Sequence, residues 1–391
     1  MIILYGIAAL GVLIASFISP PVRAIAYAPL RDLIIPPPKP VVVSVLYSTE
    51  KALWIEQAVE RFADTRPRIG GRPVEIELEK SGSREMYLAV LDGEAHPDLI
   101  SPASMLQISL LEDLSKSKFG RSVVNPLDED TCRPVLTSPV IIVAWKERAD
   151  VLWGNDPNGS MWRRMHDALV DTKGWESYGH GEWGYIKFGH TNPLKSNSGF
   201  QTLLLMTYNY FEKIDGLTSA NILSDPDYQQ WLIEFESTIS KFGDSTGTYM
   251  DEIISYGPSL YDFVTVYEAT AIGQLENAVG KYGELRIYYP PATSLSDHPF
   301  CVLQADWVTV EKAQAARLFL DFLTDKEMQE LALLEHGFRP VDPTVPLDQP
   351  GSPFLRYIDN GVKLQIPPQV EVPRGDVLQT LLDFWQRNIQ R

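Results

Sequence analysis

The sequence is short of basic residues. Its 391 positions hold 34 lysines and arginines against 51 aspartates and glutamates, a formal net charge of −17. A nucleic-acid partner needs a basic face on the protein, so this balance argues against one. Apolar residues make up 45% of the chain and charged residues 22%, which is ordinary for a folded soluble protein. At about 150 residues per domain, this length allows two or three domains.

Cysteine is scarce as well. The chain contains only Cys132 and Cys301, and they form no CxxC motif, which excludes redox and zinc sites of that kind. Neither lies near the N-terminus, which excludes a lipid anchor on a cysteine there. In an exported protein the two could form a disulfide. Two buried free thiols are the alternative.

The motifs that mark common enzyme active sites are also missing. The sequence contains no GxSxG, HExxH, P-loop or GxGxxG motif. Carboxylates are abundant, but no spacing selects a pair for acid–base catalysis. We therefore expect a protein that binds a ligand without transforming it, and no cofactor is predicted.

The first 18 residues contain no charged side chain and are just long enough to span a bilayer. Two interpretations are open. Val22-Arg23-Ala24 is a small-x-small cleavage sequence, so residues 1–24 could be a signal peptide. The apolar run is longer than a usual signal core, so residues 1–19 could instead stay as a membrane anchor. Either way we expect an extracytoplasmic protein, in the periplasm or at the cell surface, with the proline-rich residues 25–40 as a stiff tether.

Strands and helices alternate along the next part of the chain. The β-branched run Val41–Tyr47 predicts a strand that is buried on both faces. Val74, Ile76 and Leu78 alternate with glutamates, which predicts a second strand with one solvated face. Residues 98–100 predict a third strand. With a helix after each of the first two strands, this order predicts a parallel sheet with right-handed crossovers.

The pattern changes near Thr137, after which further strands and helices follow. Strands are predicted over residues 139–145, 184–189, 262–267, 285–289 and 301–309, and a last helix over residues 376–389. We interpret the whole as a two-lobed α/β fold in which the second lobe is inserted into the first.

The lobe boundaries follow from this interpretation. Lobe 1 comprises residues 41–138 and 290–391, and lobe 2 comprises residues 139–289. The chain would cross between the lobes near residues 135–145 and 280–305. Cys132 and Cys301 lie beside these crossings on the lobe 1 side, which makes the disulfide a candidate.

Small polar residues follow the predicted strands, where ligands bind in open α/β sheets. Such turns enter helices, whose first N–H groups are free donors at the positive end of the helix dipole. Serine, threonine and asparagine are also ordinary N-caps, but four such turns on one rim predict a site for a small oxyanion or carboxylate. The turns are Ser48-Thr49-Glu50, Ser81-Gly82-Ser83, Ser101-Pro102-Ala103-Ser104 and residues 191–199.

These motifs, followed by Val266-Tyr267-Glu268 and Gly337-Phe338-Arg339-Pro340, resemble in their order the type II periplasmic binding proteins. The resemblance covers roughly residues 41–340 and is greatest to the extracellular solute-binding branch that includes molybdate-type binders. It implies a Venus-flytrap fold that delivers a small ligand to the permease of an ABC transporter. By position it implies ligand binding by Ser48 or Thr49, Ser81 or Ser83, Asn197, Ser198 and Tyr267. Ser104 and Glu268 lie in the same motifs and complete the predicted set.

Other functions are open for the same residues. His180, Glu182 and His190 could form a metal site, although their spacing matches no metal motif. The tryptophan-rich region could stack on a sugar or a cationic ligand, or it could pack in the core of lobe 2. The two lobes could also serve a membrane-tethered sensor or assembly module. The tryptophans concerned are Trp145, Trp153, Trp162, Trp175 and Trp183.

Overall fold

The computed structural model describes residues 2–16, 38–154 and 161–390. Helix α1 spans Ile2–Ser16. No helix within the described residues combines the length and the apolar character that crossing a membrane requires. The predicted cleavage sequence at residues 22–24 and most of the predicted tether lie outside the described residues.

Twelve strands are described: β1 (Val41–Tyr47), β2 (Arg68–Ile69), β3 (Arg72–Lys80), β4 (Leu99–Ser101), β5 (Cys132–Pro134), β6 (Leu136–Trp145), β7 (Phe188–Gly189), β8 (Phe263–Tyr267), β9 (Leu285–Tyr288), β10 (Leu295–Ser296), β11 (Pro299–Val302) and β12 (Arg339–Pro340). The helices after α1 are α2 (Ala52–Asp64), α3 (Ser83–Asp92), α4 (Met105–Phe119), α5 (Lys146–Trp153), α6 (Met161–Val170), α7 (Asn197–Tyr210), α8 (Ser219–Ser224), α9 (Pro226–Ser237), α10 (Thr246–Tyr256), α11 (Glu268–Ile272), α12 (Val310–Leu323), α13 (Lys326–His336), α14 (Pro353–Arg356) and α15 (Gly375–Asn388). Short 3-10 turns cover Thr49–Lys51, Gly174–Tyr178, Gly181–Trp183, Gly257–Ser259, Leu275–Ala278 and Ile358–Asn360.

The first sheet has the order β2-β3-β1-β4-β11-β5. Strand β1 pairs in parallel with β3 and β4, as the alternating strand–helix pattern predicts. Alternate residues of β1 face opposite sides of the sheet. Val41, Val43 and Val45 pack with helices α2, α12 and α13, whereas Leu46 packs on the side of α3 and α4. The carboxyl ends of the parallel strands therefore lead into α2, α3 and α4 at one edge.

The second sheet is built around the long strand β6. Its order is β10-β6-β8-β7, and β9 and β12 also pair with β6. The strand predicted over residues 184–189 is shortened to Phe188–Gly189. Gly184 has a φ of 73° and ends the preceding 3-10 turn, a backbone conformation that an extended strand cannot contain.

The chain passes between the sheets three times. It leaves the first sheet at Val135, between β5 and β6, and returns at residues 297–298, between β10 and β11. After α13 it crosses again, because β12 pairs with β6. Val345, Phe354 and Val362 then pack in the core of the second lobe. These contacts differ from the predicted assignment of residues 290–391 to lobe 1, and the lobe boundaries stay a proposal.

The last helix, α15, bridges the two lobes, and we call residues 375–388 the C-terminal clasp. It packs against α4 of the first lobe and α8 of the second. Its Leu381 belongs to one continuous apolar core with Leu106 of α4 and Leu232 of α9. Trp385 Nε1 also donates a hydrogen bond to the buried Glu236 carboxylate at 2.7 Å. On this side of the molecule the lobes therefore share a core.

A disulfide joins Cys132 to Cys301 across a sequence separation of 169 residues. The two residues occupy directly opposite positions on the antiparallel strands β5 and β11, and both are buried. Strand β5 precedes the first crossing and β11 follows the second. The covalent link therefore holds together the base of both connections.

Candidate functional site

Helix starts from the two lobes meet at Asn197, the first residue of α7. Ser104 Oγ and Gln107 Nε2, from the first lobe, donate hydrogen bonds to Asn197 Oδ1 at 2.9 and 2.8 Å. Asn197 Nδ2 in turn donates to Gln201 Oε1 at 2.9 Å and to Tyr267 Oη at 3.0 Å. All of these residues are buried. Asn197 therefore bridges the lobes where the sequence predicts convergence, and the lobes are in direct contact there.

Gly199 allows this helix start to come close to its preceding loop. A β-carbon at this position would lie 1.9 Å from the carbonyl oxygen of Thr191. No other residue type fits without moving α7. The neighbouring Ser198 Oγ lies 2.8 Å from Thr191 Oγ1 and 2.7 Å from Thr246 Oγ1, which ties α7 to the start of α10.

The predicted serines of the first lobe make hydrogen bonds within the protein. Ser48 Oγ accepts from Lys51 Nζ at 2.6 Å, and Ser83 Oγ accepts from the backbone N–H of Ala103 at 3.0 Å. Ser81 Oγ interacts at 3.3 Å with the carbonyl oxygen of Gly82 in its own turn. Ser83 thus links its own turn to the turn after β4, whereas the bonds of Ser48 and Ser81 are local.

Glu268, a member of the predicted ligand set, lies in a buried ion pair. Its carboxylate is fully buried and accepts hydrogen bonds from Arg339 Nε at 2.6 Å and Arg339 Nη2 at 2.8 Å. Tyr289 Oη also donates to it. Both oxygens are engaged by charged or polar partners of the second lobe, because β12 brings Arg339 onto the sheet beside α11. Glu268 therefore anchors the third crossing.

The structure does not bring the three residues of the alternative metal site together. His190 is buried, with Nε2 3.0 Å from Glu236 Oε1. His180 and Glu182 lie 3.2 Å apart at the surface. Within residues 2–16, 38–154 and 161–390, no three histidine, cysteine or acidic side chains are grouped to hold a metal ion.

The tryptophans of the tryptophan-rich region also pack against other side chains of the protein. Trp183 is stacked between the His180 ring, 3.9 Å away, and the guanidinium of Arg148, 3.3 Å from the ring centre. The other four tryptophans of the region are almost completely buried in lobe 2: Trp145, Trp153, Trp162 and Trp175. They fill the core and offer no ring face to a sugar.

A cleft of about 520 Å³ opens between the lobes, within the size range of small-molecule sites. Its lining residue Thr246 contacts Ser198, which follows Asn197 in α7. The first lobe contributes the turn after β1 and the start of α2. The second lobe contributes the start of α10 and helix α11, and the third crossing closes one end. The lining residues are Thr49, Glu50, Ala52, Leu53, Trp54, Ser245, Thr246, Gly247, Ala269, Thr270, Gly273, Gln274, Glu335, His336 and Phe338.

Sequence reasoning missed several residues of this region. Gln107 lies three positions after Ser104 and therefore on the same face of α4. Lys51 directly follows the first predicted turn, and its Nζ donates to Ser48 Oγ, to Ser101 O at 2.9 Å and to Pro102 O at 3.3 Å. Asp297 accepts a hydrogen bond from the Met105 N–H at 2.8 Å. Asp297 lies within the return crossing that the sequence predicts near residues 280–305. Its position there could have identified it as a candidate residue.

Lys51 and Asp297 have pKa values that move toward neutrality. Burial lowers the pKa of the Lys51 ammonium to about 7, against the attraction of Glu50 and Asp297. Burial raises the pKa of the Asp297 carboxyl to about 6, against the hydrogen bond from Met105 and the charge of Lys51. Burial also lowers the pKa of His298 well below its usual range, so the His298 imidazole is neutral at pH 7.

These shifts predict a pH dependence of stability with two opposite slopes. The folded state holds the Asp297 proton more tightly than an unfolded aspartate of pKa 3.8, so stability falls as the pH rises from about 4 to about 6. The unfolded chain holds the Lys51 proton up to a pKa of 10.5, so stability rises from about pH 7 to about 10. The contribution of the two groups is therefore lowest between about pH 6 and 7.

The variant Asp297→Asn isolates the acidic slope. Between about pH 4 and 6.5 the unmodified protein is expected to lose on the order of 2 kcal/mol more unfolding free energy than the variant. Urea unfolding at the two pH values measures the difference. Identical losses in both proteins would show that the pKa of Asp297 is not raised by folding.

The model of a family described as bacterial extracellular solute-binding protein matches residues 43–339 of this chain. The comparison with curated proteins gives no match.

Three solved structures illustrate the likeness in fold. The ferric binding protein from Campylobacter jejuni is 11% identical, with a TM-score of 0.60 over 88% of this chain and 98% of that one. The periplasmic binding protein AfuA from Actinobacillus pleuropneumoniae, with exogenous fructose-6-phosphate bound, is 15% identical, with a TM-score of 0.56 over 89% and 99%. The substrate binding protein of an ABC transporter from Agrobacterium tumefaciens is 13% identical, with a TM-score of 0.57 over 92% and 96%.

At these identities the likeness concerns the fold, and it confirms the predicted two-lobed α/β architecture. The two sheets, the inserted second lobe and the cleft between them all agree with it. Since the family model spans well over half of the sequence, the chain belongs to the bacterial extracellular solute-binding protein family.

Proposed function

We propose that this protein captures a small polar solute in the interlobe cleft, does not transform it chemically, and delivers it to the permease of an ABC transporter. The observation that carries the proposal is the convergence of helix starts from both lobes on Asn197, together with an open interlobe cleft whose residue Thr246 contacts the neighbouring Ser198. A solute that touches both walls stabilises the closed arrangement through its differential affinity for that state.

The direction of opening follows from how the two sides of the interface are built. On the side of the C-terminal clasp the lobes share an apolar core, which resists separation. On the cleft side they meet through a few hydrogen bonds at Asn197. We therefore propose that the lobes open at the cleft while the clasp side stays assembled.

The proposed location is outside the cytoplasm, in the periplasm or at the cell surface. The family, described as extracellular, supports it, as does the apolar segment that forms α1. Residues 1–24 would serve as a signal peptide, or residues 1–19 as a retained anchor. Mass spectrometry of the N-terminus of the exported protein distinguishes the two.

The contacts of the predicted donor groups bear on whether the solute is an anion. The sequence favours an oxyanion or a carboxylate on the basis of free donors at the helix starts. In the structure the hydroxyls of Ser48 and Ser83 are held by protein groups, and the Met105 N–H is capped by the Asp297 carboxylate. These bonds weigh against an anion, and the solutes named for the structural neighbours differ from one another.

A thermal-shift survey tests the proposal, with sugars, amino acids, amines, oxyanions and divalent metals as the solutes. We expect at least one to raise the melting temperature, because a ligand that binds only the folded state stabilises it. A survey in which no solute stabilises the protein would contradict the proposed function.

The variant Asn197→Ala tests the position of the site. It removes the bridge between the lobes, so the affinity for a stabilising solute is expected to fall at least roughly tenfold, as for the loss of one or two net hydrogen bonds. Asn209→Ala is the matched control, since Asn209 lies near the other end of the same helix and lines a different pocket, away from the interlobe hydrogen bonds of Asn197. Calorimetric titration compares the two, and equal affinities would place the site elsewhere.

A further inference from the structure

Four buried polar atoms around the interlobe site have no hydrogen-bond partner: Glu50 Oε2, Ser101 Oγ, Gln107 Oε1 and His298 Nδ1. Ser101, Gln107 and His298 are at most 3% exposed. Glu50 lines the cleft, and the His298 ring packs edge-on against Phe338, another cleft residue, at 5.2 Å. A buried polar atom without a partner costs free energy, so a ligand that supplies partners is favoured here.

The orientation of Gln107 follows from a chain of hydrogen bonds. Gln201 Nε2 donates to the carbonyl oxygen of Leu295 at 2.6 Å, and a carbonyl can only accept. Gln201 Oε1 is therefore the atom that accepts from Asn197 Nδ2, which leaves Asn197 Oδ1 to accept from Gln107 Nε2. The unpartnered atom of Gln107 is thus its amide oxygen, an acceptor.

The tautomer of the His298 ring follows from its hydrogen bonds in the same way. Ser296 Oγ donates its only proton to the carbonyl oxygen of Ala103 at 2.6 Å. It can then only accept from His298 Nε2, which lies 3.2 Å away. In the neutral ring the proton is on Nε2, so the unpartnered Nδ1 is a bare lone pair.

The side chains around the site are acidic or are hydrogen-bond acceptors, so they favour a ligand with positive charge and donors. Glu50 and Glu335 are acidic, and no lysine or arginine is among the residues that line the cleft. The nearby Lys51 has all three of its N–H groups directed at protein oxygens. Glu50 Oε2, Gln107 Oε1 and His298 Nδ1 are acceptors, and Ser101 Oγ can accept as well.

We infer that the ligand of this cleft is a small organic cation rich in N–H donors, an ammonium or amidinium compound, whose charged end pairs with Glu50. This inference rests on the proposed function and specifies its ligand class, in place of the oxyanion or carboxylate that the sequence favours. The exposed side chain of Leu53, together with Phe338, provides an apolar wall for the carbon chain. A bare metal ion is a poorer fit, since the described residues hold no three-ligand group for one.

A matched series of four-carbon probes tests the charge. Putrescine, 1,4-butanediol and succinate differ mainly in their end groups, and agmatine adds a guanidinium. We expect putrescine or agmatine to raise the melting temperature of the full chain and to bind in calorimetry. The diol and succinate are expected to have no measurable effect.

The variant Glu50→Gln tests the contact. It keeps the shape of the side chain and removes the charge, so the dissociation constant of the stabilising amine should rise roughly ten- to hundredfold, as for the loss of a hydrogen bond to a charged group. Glu75→Gln is the control, because Glu75 is an exposed carboxylate on β3, away from the cleft. The dissociation constant of the amine from the Glu75→Gln variant should equal that from the unmodified protein.

The outcomes separate the two claims. Binding of succinate, sulfate, molybdate or a divalent metal in place of the amines would overturn the ligand class and leave solute binding intact. An affinity for the amine that survives Glu50→Gln would also overturn it. If none of the probes and none of the surveyed solutes binds, both the ligand class and the proposed solute-binding function are overturned. The probe series uses the unmodified protein, so it decides the question even if the variant fails to fold.

Discussion

Replacing Glu268 by alanine is expected to lower the free energy of unfolding by about 3–5 kcal/mol. The substitution leaves the Arg339 guanidinium buried without its carboxylate. Arg339 is only 6% exposed, and its two remaining acceptors are the carbonyl oxygens of Lys363 and Leu364. A buried charge without a counter-ion is costly because it is cut off from water. Urea unfolding of the purified variant measures the loss.

The chain offers a matched control for this effect. Arg356 and Glu276 form an ion pair of the same type at 3.0 Å, but their side chains are 60% and 68% exposed. Glu276→Ala is therefore expected to cost below about 1 kcal/mol. Equal losses from the two variants would show that burial of the Arg339–Glu268 pair has no energetic consequence. If Glu268→Ala abolished solute binding in a fully folded protein, the predicted ligand role of Glu268 would be supported.

Removing the disulfide with the double variant Cys132→Ser, Cys301→Ser is expected to cost roughly 3–5 kcal/mol of stability. The bond closes a loop of 169 residues, which includes nearly all of the second lobe, so it removes much of the conformational freedom of the unfolded chain. Both sulfur atoms are buried between β5 and β11, and two serines there would also have to satisfy their hydroxyls. Chemical unfolding of the oxidised protein against the double variant measures the loss.

A reducing agent provides the control for the disulfide. It should destabilise the unmodified protein toward the level of the double variant and leave the double variant unchanged. Thiol titration of the unfolded, unreduced protein should find no free thiol. Two reactive thiols per chain in that titration would contradict the bond and favour the alternative of free cysteines.

The parts of the fold that the sequence predicts are those determined by local pattern. The β-branched run of β1 and the strand–helix alternation after it specify a parallel unit, and the topology of such units then places their helix starts at one edge. Ser104 and Asn197 could therefore be expected near each other although 93 residues separate them.

The roles that the sequence does not predict depend on partners that are distant in the chain. Glu268 looked like a cleft residue because it follows Tyr267, but its partner Arg339 arrives 71 residues later through a crossing that no local pattern announces. His298 and Gln107 owe their interest to atoms left without partners. Whether a polar atom lacks a hydrogen-bond partner is determined only in the folded protein. The spacing of residues and the composition do not indicate it.

The C-terminal clasp has a consequence for how the chain acquires its structure. Leu106 and Leu110 of α4 belong to a core that Leu378 and Leu381 complete, so the first lobe keeps an uncovered apolar face until residues 375–388 have been synthesised. Until then, a growing chain cannot complete this part of its core. Such a delay would help to keep the chain unfolded during the export that we propose.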